Sequence, residues 1–352
     1  MMLRRDFVWN ALLRTGLFAL VCLAGVAQVS AQEPKEKVMR LGMIGLDTSH
    51  APAFAKLFND DKNSQEYGGM RLVAAFPGGS ADIESSHSRV AGYTQELKAL
   101  NVEIVGSVEE LVGKVDAVLL ESVDGRPHLA QALPVIRSGK PLFIDKPLAG
   151  SLADAIAIDT LAKKYKSRWF SSSSLRFSPS IYRWRTDKAL KDSIRGAAAW
   201  SPCSLEKTHP DLFWYGVHGV EMLYTVMGTG CQHVTRTGTE GTDLVVGVWE
   251  GGRIGTFRGL RDGKADYGLV VFGDKTVEVG GKYEGYKPLV DQIAKFFAGA
   301  DAPVSNQETL ELFAYMQAAQ ESKEQGGVPV KIADVMQRAN TAAQQRIAEL
   351  DK

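Results

Sequence analysis

The sequence predicts an α/β chain in which a doubly wound parallel sheet is followed by an α+β domain built on an open antiparallel sheet. Between residues 38 and 176 short apolar segments alternate with helical ones, the order expected of strand–helix–strand units in a parallel sheet covered on both faces. Beyond Phe177 the order changes to short strands separated by glycine turns, which reads as antiparallel pairing. Composition agrees. Of 352 residues, 45% are hydrophobic and 23% charged, the proportions of a soluble globular protein of one large or two ordinary domains. Lysine plus arginine equal aspartate plus glutamate at 41 each, so no global field favours nucleic acid or an anionic membrane surface. Small-molecule chemistry is the default.

Residues 1–31 read as an export signal. Arg4 and Arg5 precede an apolar run from Gly16 to Ala27, and Val29-Ser30-Ala31 has the small residues of a cleavage site. Arg4-Arg5-Asp6-Phe7-Val8 also resembles the twin-arginine signal, which addresses folded, cofactor-loaded cargo for export, so a periplasmic location is expected. The clean apolar run is shorter than the ~20 residues that span a bilayer, and no membrane span is expected after cleavage. Cys22 would leave with the signal; nothing in the sequence brings Cys203 and Cys231 together.

The elements follow in order. Val38 to Ile44 is a strand, Gly45 to His50 a tight turn, and Ala51 to Phe58 a helix. Met70 to Phe76 is the second strand and ends in Pro77-Gly78-Gly79-Ser80; Val102 to Val105 is a short third, and Val108 to Val112 begins a helix or turn. Ala117 to Leu120 is so apolar that both its faces must be covered. His128 to Ser138 is a helix stopped by Gly139, and Pro141 to Ile144 a buried strand leading into Asp145-Lys146-Pro147. Leu152 to Tyr165 is a helix with Ala153, Ala155, Ile156, Ile158, Leu161 and Ala162 on its buried side, and Arg168 to Ser173 is the sixth strand. In the second domain, 177–330, short strands are expected at Thr235–Thr242, Leu244–Trp249, Arg253–Arg258, Tyr267–Phe272 and Thr276–Val279, with amphipathic helices at Leu289–Phe297 and Thr309–Lys323. The stretch 331–352 is a helical extension whose charged, glutamine-rich composition suits a surface arm or a subunit contact.

Chemistry enters at the strand ends, because ligands of open parallel sheets sit in the crevice outside the carboxyl ends of the strands. Lys146 stands at such an end. Gly45-Leu46-Asp47-Thr48-Ser49-His50 follows the first strand and opens a helix, which is where a Rossmann-like dinucleotide loop belongs. Against G-x-G-x-x-G only Gly45 stands, with Asp47 and His50 in place of the later glycines. A carboxylate at Asp47 opposes a pyrophosphate unless it turns away, whereas Thr48 and Ser49 are suited to cap the helix or bind phosphate. The second strand ends without the acidic residue that binds a ribose, so NADP is as consistent as NAD.

The stretch from Asp116 to Ala149 resembles the Gfo/Idh/MocA family of sugar and polyol oxidoreductases, with Ser122, Val123, Asp124 and His128 in its loop, Asp145 replacing the usual glutamate, and Lys146-Pro147 matching outright. Leu175-Arg176-Phe177-Ser178-Pro179 is similar to the family's end of the sixth strand. Gly216-Val217-His218-Gly219-Val220-Glu221 resembles its D-x-G-x-H-x-x-D, with Trp214 where the first aspartate belongs. The resemblance implies a nicotinamide cofactor held at Gly45, Thr48, Ser49, Ser122, Asp124, His128, Asp145 and Lys146. It implies Lys146 as the acid/base, oriented by Asp145, with His218 as its partner. It further implies oxidation or reduction of a secondary hydroxyl or ketone on a sugar, glycoside or polyol, by a chain that acts as a homo-oligomer. Arg176, Lys207, His209, Asp211, Trp214 and Tyr215 are candidates for the substrate wall. A metal set of Cys203, His209, Asp211 and His218 matches no compact ligand spacing, so no metal is expected. The Lys146–Pro147 peptide is expected to be cis. In a periplasm the nicotinamide is not replenished as in cytosol, so a tightly held cofactor is expected. Two other classes remain open: a lyase or epimerase that oxidises only transiently, and a sugar-binding module that has lost its cofactor.

Overall fold

The computed structural model describes residues 38–350. The expected export signal of residues 1–31, Cys22 and the linker up to Lys37 lie outside the described residues.

Six strands form one all-parallel sheet: β1 (Arg40–Ile44), β2 (Arg71–Phe76), β3 (Glu103–Ile104), β4 (Ala117–Leu120), β5 (Leu142–Asp145) and β6 (Trp169–Ser172), in the order β3-β2-β1-β4-β5-β6. The chain direction of winding reverses between β1 and β4, so the crevice at their carboxyl ends is the ligand position of this topology. Every residue of β4 and β5 is buried, which explains their uninterrupted apolar runs. Helices α1 (His50–Asn59), α2 (Asp61–Glu66), α3 (Glu84–Ala99), α4 (Val108–Lys114), α5 (His128–Arg137) and α6 (Leu152–Tyr165) make the crossovers. Ser151 caps α6 by accepting from the Asp154 N–H, and its hydroxyl donates to the Asp154 carboxylate. The sequence reading passes over α3 because only Ser86 and Leu97 of its residues are buried, leaving no apolar stripe to detect.

The second sheet runs β12-β11-β7-β10-β9-β8-β13. Its members are β7 (Ile194–Pro202), β8 (Cys231–Gly238), β9 (Thr242–Trp249), β10 (Ile254–Leu260), β11 (Gly268–Gly273), β12 (Val277–Gly280) and β13 (Val330–Lys331). It is antiparallel except for the parallel pair β7–β10. β7 escapes the sequence reading because Gly196 and three alanines give it little β-propensity, although five residues of it are buried. Two helices, α7 (Pro179–Thr186) and α8 (Lys188–Ser193), lead into this sheet, and α9 (Val217–Met227) is buried throughout against one of its faces. The other face stays open.

Three later helices return to earlier parts of the chain. α10 (Lys287–Phe297) brings Leu289, Val290, Ile293, Phe296 and Phe297 onto the α1 side of the parallel sheet. There Phe143 meets Phe170 and Phe170 meets Phe296, each with centroids 5.0 Å apart. Such pairs contribute about 0.5–1.5 kcal/mol beyond area burial. α11 (Asn306–Glu324) packs on β8, and α12 (Ile332–Leu350) lies along α6 with Val335 and Ala343 buried. The C-terminal stretch is therefore a packed layer of this chain rather than a free arm. Cys203 and Cys231 are buried, separate thiols. No described helix is long and apolar enough to cross a membrane.

Candidate active site

A cavity of about 530 Å³ opens at the carboxyl ends of the parallel strands. The loop after β1 supplies Thr48, Ser49 and His50, the residues after β4, β5 and β6 supply Val123, Lys146, Ser174 and Leu175, and α3 supplies Ser85 and Arg89. The second domain closes it with Ser204, Trp214, Tyr215, His218, Tyr267, Tyr283 and Tyr286. No carboxylate of the described residues lines it. Two cationic side chains and many hydroxyls do, so the lining favours a polar ligand bearing negative charge.

Lys146 sits there because β5 ends one residue earlier; the Lys146–Pro147 peptide is cis. It is 6% exposed, its Nζ lies 5.7 Å from the Tyr215 ring centroid, and no described carboxylate is within ion-pair distance. Asp145 looks elsewhere: its Oδ2 is 2.7 Å from His50 Nδ1, and its Oδ1 has no hydrogen-bond partner. Burial raises the Asp145 carboxyl, but the adjoining His50 and then Lys146 outweigh it and hold the group below its ordinary range.

His218 enters on the first turn of α9, just past the π-helical turn Leu212–Gly216. Its Nδ1 is 2.7 Å from Ser173 Oγ, and its ring stands edge-on to Tyr215 at 5.0 Å. Burial, then the neighbouring Lys146 and His50, push its pKa well below 6.5, so the imidazole is neutral at neutral pH. Tyr215 thus touches both Lys146 and His218, and its hydroxyl is 3.3 Å from that of Tyr267. Glu221, the expected final acid, faces away, accepting from Ser172 Oγ at 2.6 Å and Arg176 Nε at 2.7 Å.

The loop after β1 meets the demand of an anionic diphosphate in an unusual way. Gly45 holds φ +90°, and a Cβ there would lie 2.3 Å from the Ser122 nitrogen, so the backbones touch as only glycine allows. The Asp47 carboxylate turns inward, accepting from Ser86 Oγ at 2.6 Å and the Val123 N–H at 3.1 Å. Burial nevertheless raises its pKa. With Asp47 turned away, Thr48, Ser49 and the start of α1 face the cavity, and Arg89 stands on its α3 wall. These residues fit a bound dinucleotide in charge and hydrogen bonding. Ser122, Asp124 and His128 support the loop from behind. Ser122 Oγ donates to Gln131 at 2.9 Å, and the His128 ring nitrogens contact the carbonyls of Ser122 at 2.8 Å and Leu148 at 3.1 Å. Asp124 accepts from Ser80 Oγ at 2.6 Å and from Arg126, and faces His209 Nε2 at 3.1 Å. Burial raises Asp124, but His209, Arg126 and Ser80 together hold it far below the usual carboxylate range.

Of the candidates for the substrate wall, Trp214 and Tyr215 line the cavity. The other four are placed elsewhere. Arg176 is buried between Glu221 and Glu308, Asp211 pairs with Arg236 and Lys323, His209 packs behind Trp214, and Lys207 is exposed. Cys203, His209, Asp211 and His218 are not brought together. Sequence reasoning missed Glu121, Arg89, Tyr267, Tyr283 and Tyr286. The closely spaced Tyr283 and Tyr286 in a glycine-flanked loop were the available signal for an aromatic wall. Glu121, buried and with neither oxygen hydrogen-bonded, ends the apolar run of β4 without any motif to mark it. Burial, and then the neighbouring Asp145, raise its pKa well above 4.5.

Residues 39–172 match the sequence model of an oxidoreductase family with an NAD-binding Rossmann fold. Over 114 residues the chain is 32% identical to inositol 2-dehydrogenase of Cereibacter sphaeroides, a match covering 32% of this chain and 29% of that relative's length. Among solved structures, a protein described as a probable dehydrogenase from Thermotoga maritima superposes with a TM-score of 0.68 at 19% identity, over 84% of this chain and 100% of the other. Scyllo-inositol dehydrogenase from Lactobacillus casei, solved with NAD(H) and scyllo-inositol, gives 0.67 at 15% identity over 84% and 100%. These structural likenesses establish the two-domain fold.

Proposed function

We propose, from the Gfo/Idh/MocA oxidoreductase domain that residues 39–172 form, that this chain is an NAD(P)-dependent oxidoreductase acting on a secondary hydroxyl, or the matching ketone, of a sugar, glycoside or polyol. The observation that carries this reading is the meeting of Lys146 and neutral His218 on one cavity wall through Tyr215. Bound nicotinamide supplies the hydride acceptor or donor. Thr48, Ser49 and Arg89 would hold its diphosphate, and Gly45 would let the backbone approach it.

The chain's own residues do the rest. Lys146 directs an N–H donor at the substrate oxygen and stabilises the negative charge that develops there. His218 takes the hydroxyl proton, its ring held by Ser173 so that Nε2 is left free of bonds to the described protein. Burial raises Tyr267 and Tyr283, so both remain hydroxyl donors for sugar oxygens. With the ring faces of Trp214 and Tyr286 they make a wall suited to a cyclic polyol. Because Pro77-Gly78-Gly79-Ser80 rather than an acid follows β2, and the Ser80 hydroxyl serves Asp124, either NAD or NADP is accommodated.

The same reading takes residues 1–31 as an export signal, the working location as the periplasm, the cofactor as tightly held, and the working form as a homo-oligomer. The test is cofactor retention and turnover. Natively exported protein is desalted, its bound nucleotide identified, and cyclitols and glycosides are screened by bound-cofactor fluorescence. Retained NAD(H) or NADP(H) that changes redox state with a cyclitol or glycoside is the expected result; binding of neither nucleotide at millimolar concentration contradicts it.

A further inference from the structure

We propose that His50, Glu121 and Asp145 form a divalent metal site buried at the strand ends beside the cavity, with His50 on the cavity wall and the site separate from the Lys146–His218 pair. The three come from three neighbouring strand ends: His50 opens α1 after β1, Glu121 directly follows β4, and Asp145 ends β5. Sheet order places β1, β4 and β5 side by side, so the switch point gathers one imidazole and two carboxylates. His50 Nδ1 is 2.7 Å from Asp145 Oδ2 and 4.0 Å from Glu121 Oε2, and one ligand atom from each residue lies within 4.8 Å of the others.

A second observation asks for a ligand. Glu121 is fully buried and neither of its oxygens has a hydrogen-bond partner; Asp145 Oδ1 has none either. His50 Nδ1 has only its 2.7 Å contact with Asp145 Oδ2 and a 4.0 Å one with Glu121 Oε2 among the described residues. Buried polar atoms left without partners are costly, and such a group in a folded protein calls for an ion, a water or a chemical role. A dication answers all of these atoms at once, because two carboxylates balance its charge and the imidazole nitrogen supplies a third ligand. His50 also lines the cavity, so a dication held beside it would have its remaining coordination positions left for a water or a ligand from that side. Three protein ligands with an open position is the arrangement of catalytic metal sites. One nitrogen and two carboxylate donors without a thiolate suit Zn²⁺ or Mn²⁺. The open position would take an oxygen donor such as a hydroxyl or carboxylate.

The inference does not depend on nicotinamide chemistry, and its test reads metal alone. The tag-free chain is stripped with chelator and titrated with ZnCl₂ and MnCl₂, following calorimetric stoichiometry and thermal unfolding. Expected are one equivalent of at least one metal per chain and a Tm that rises by several degrees at a hundredfold excess over Kd. Glu121→Gln should bind at least tenfold more weakly and lose the metal-dependent rise. Stripped of metal, that variant should melt no lower than the stripped wild type, because it removes a buried acid without a partner; this separates lost binding from lost folding. No stoichiometric binding of either metal to the wild type, or equal binding by Glu121→Gln, overturns the proposal. Nucleotide binding is measured separately, so failure here leaves the oxidoreductase reading standing.

Discussion

Gly45 and His218 carry the sharpest consequences of single atoms. A methyl group on Gly45 would strain a φ of +90° and press to within 2.3 Å of the Ser122 nitrogen. Gly45→Ala should therefore destabilise the chain by about 1–3 kcal/mol and weaken dinucleotide binding, as urea unfolding and nucleotide titration would report. His218 gives a pH prediction. Its folded pKa lies well below the 6.5 of a free imidazole, so acid converts the unfolded residue before the folded one. The same holds for buried His128. Below about pH 6.5 the unfolded chain then binds protons that the folded chain refuses, and the contribution of both residues to stability falls as pH falls. Catalysis should follow the folded value: the acid limb of kcat/KM lies below pH 6.5, and Ser173→Ala moves it. An acid limb above 6.5 would remove His218 from the role of neutral base.

Elements set these residues in place, and the join between sheets turns on one buried arginine. Arg176, just past β6, bonds Glu221 of α9 at 2.7 Å and Glu308 of α11 at 2.7 Å, and Arg185 adds a second contact to Glu308 at 2.5 Å. Arg176→Met removes the buried cation between them, leaving Glu221 with the Ser172 hydroxyl and Glu308 with Arg185, and should cost about 3–5 kcal/mol in chemical denaturation, with little change in nucleotide affinity. Read from sequence, Arg176 looked like a substrate ligand because nothing in one dimension tells a buried ion pair from a cavity wall. The elements themselves were more legible. Strands such as β4 and the helix α6 announce themselves by apolar runs and helical spacing. α3, with two buried residues, and the alanine-rich β7 do not, because tertiary packing rather than local pattern holds them. Of the site, Lys146 and His218 were marked by their motifs. Glu121 and Arg89 were not, since their meaning comes from what the loops bring beside them.

At the scale of the whole molecule, one hydrophobic core runs from the α5–α6 side of the parallel sheet into the α9 side of the second sheet, and the cavity lies where the two meet. The second sheet's other face is left half open, with Ile254 and Phe272 exposed among half-buried Val246, Val248 and Val270. A second copy of the chain is the expected cover, so light scattering at micromolar concentration should give a dimer or larger and Phe272→Glu should shift it towards monomer. The central claim, that Lys146 acts at the nicotinamide, is tested most directly by Lys146→Ala in the purified protein. Turnover and nucleotide affinity are measured on the same sample, with the polyol that the screen identifies. The predicted result is kcat lowered about 10²–10⁴-fold with nucleotide affinity within a few-fold of the wild type; turnover that survives the substitution would contradict it.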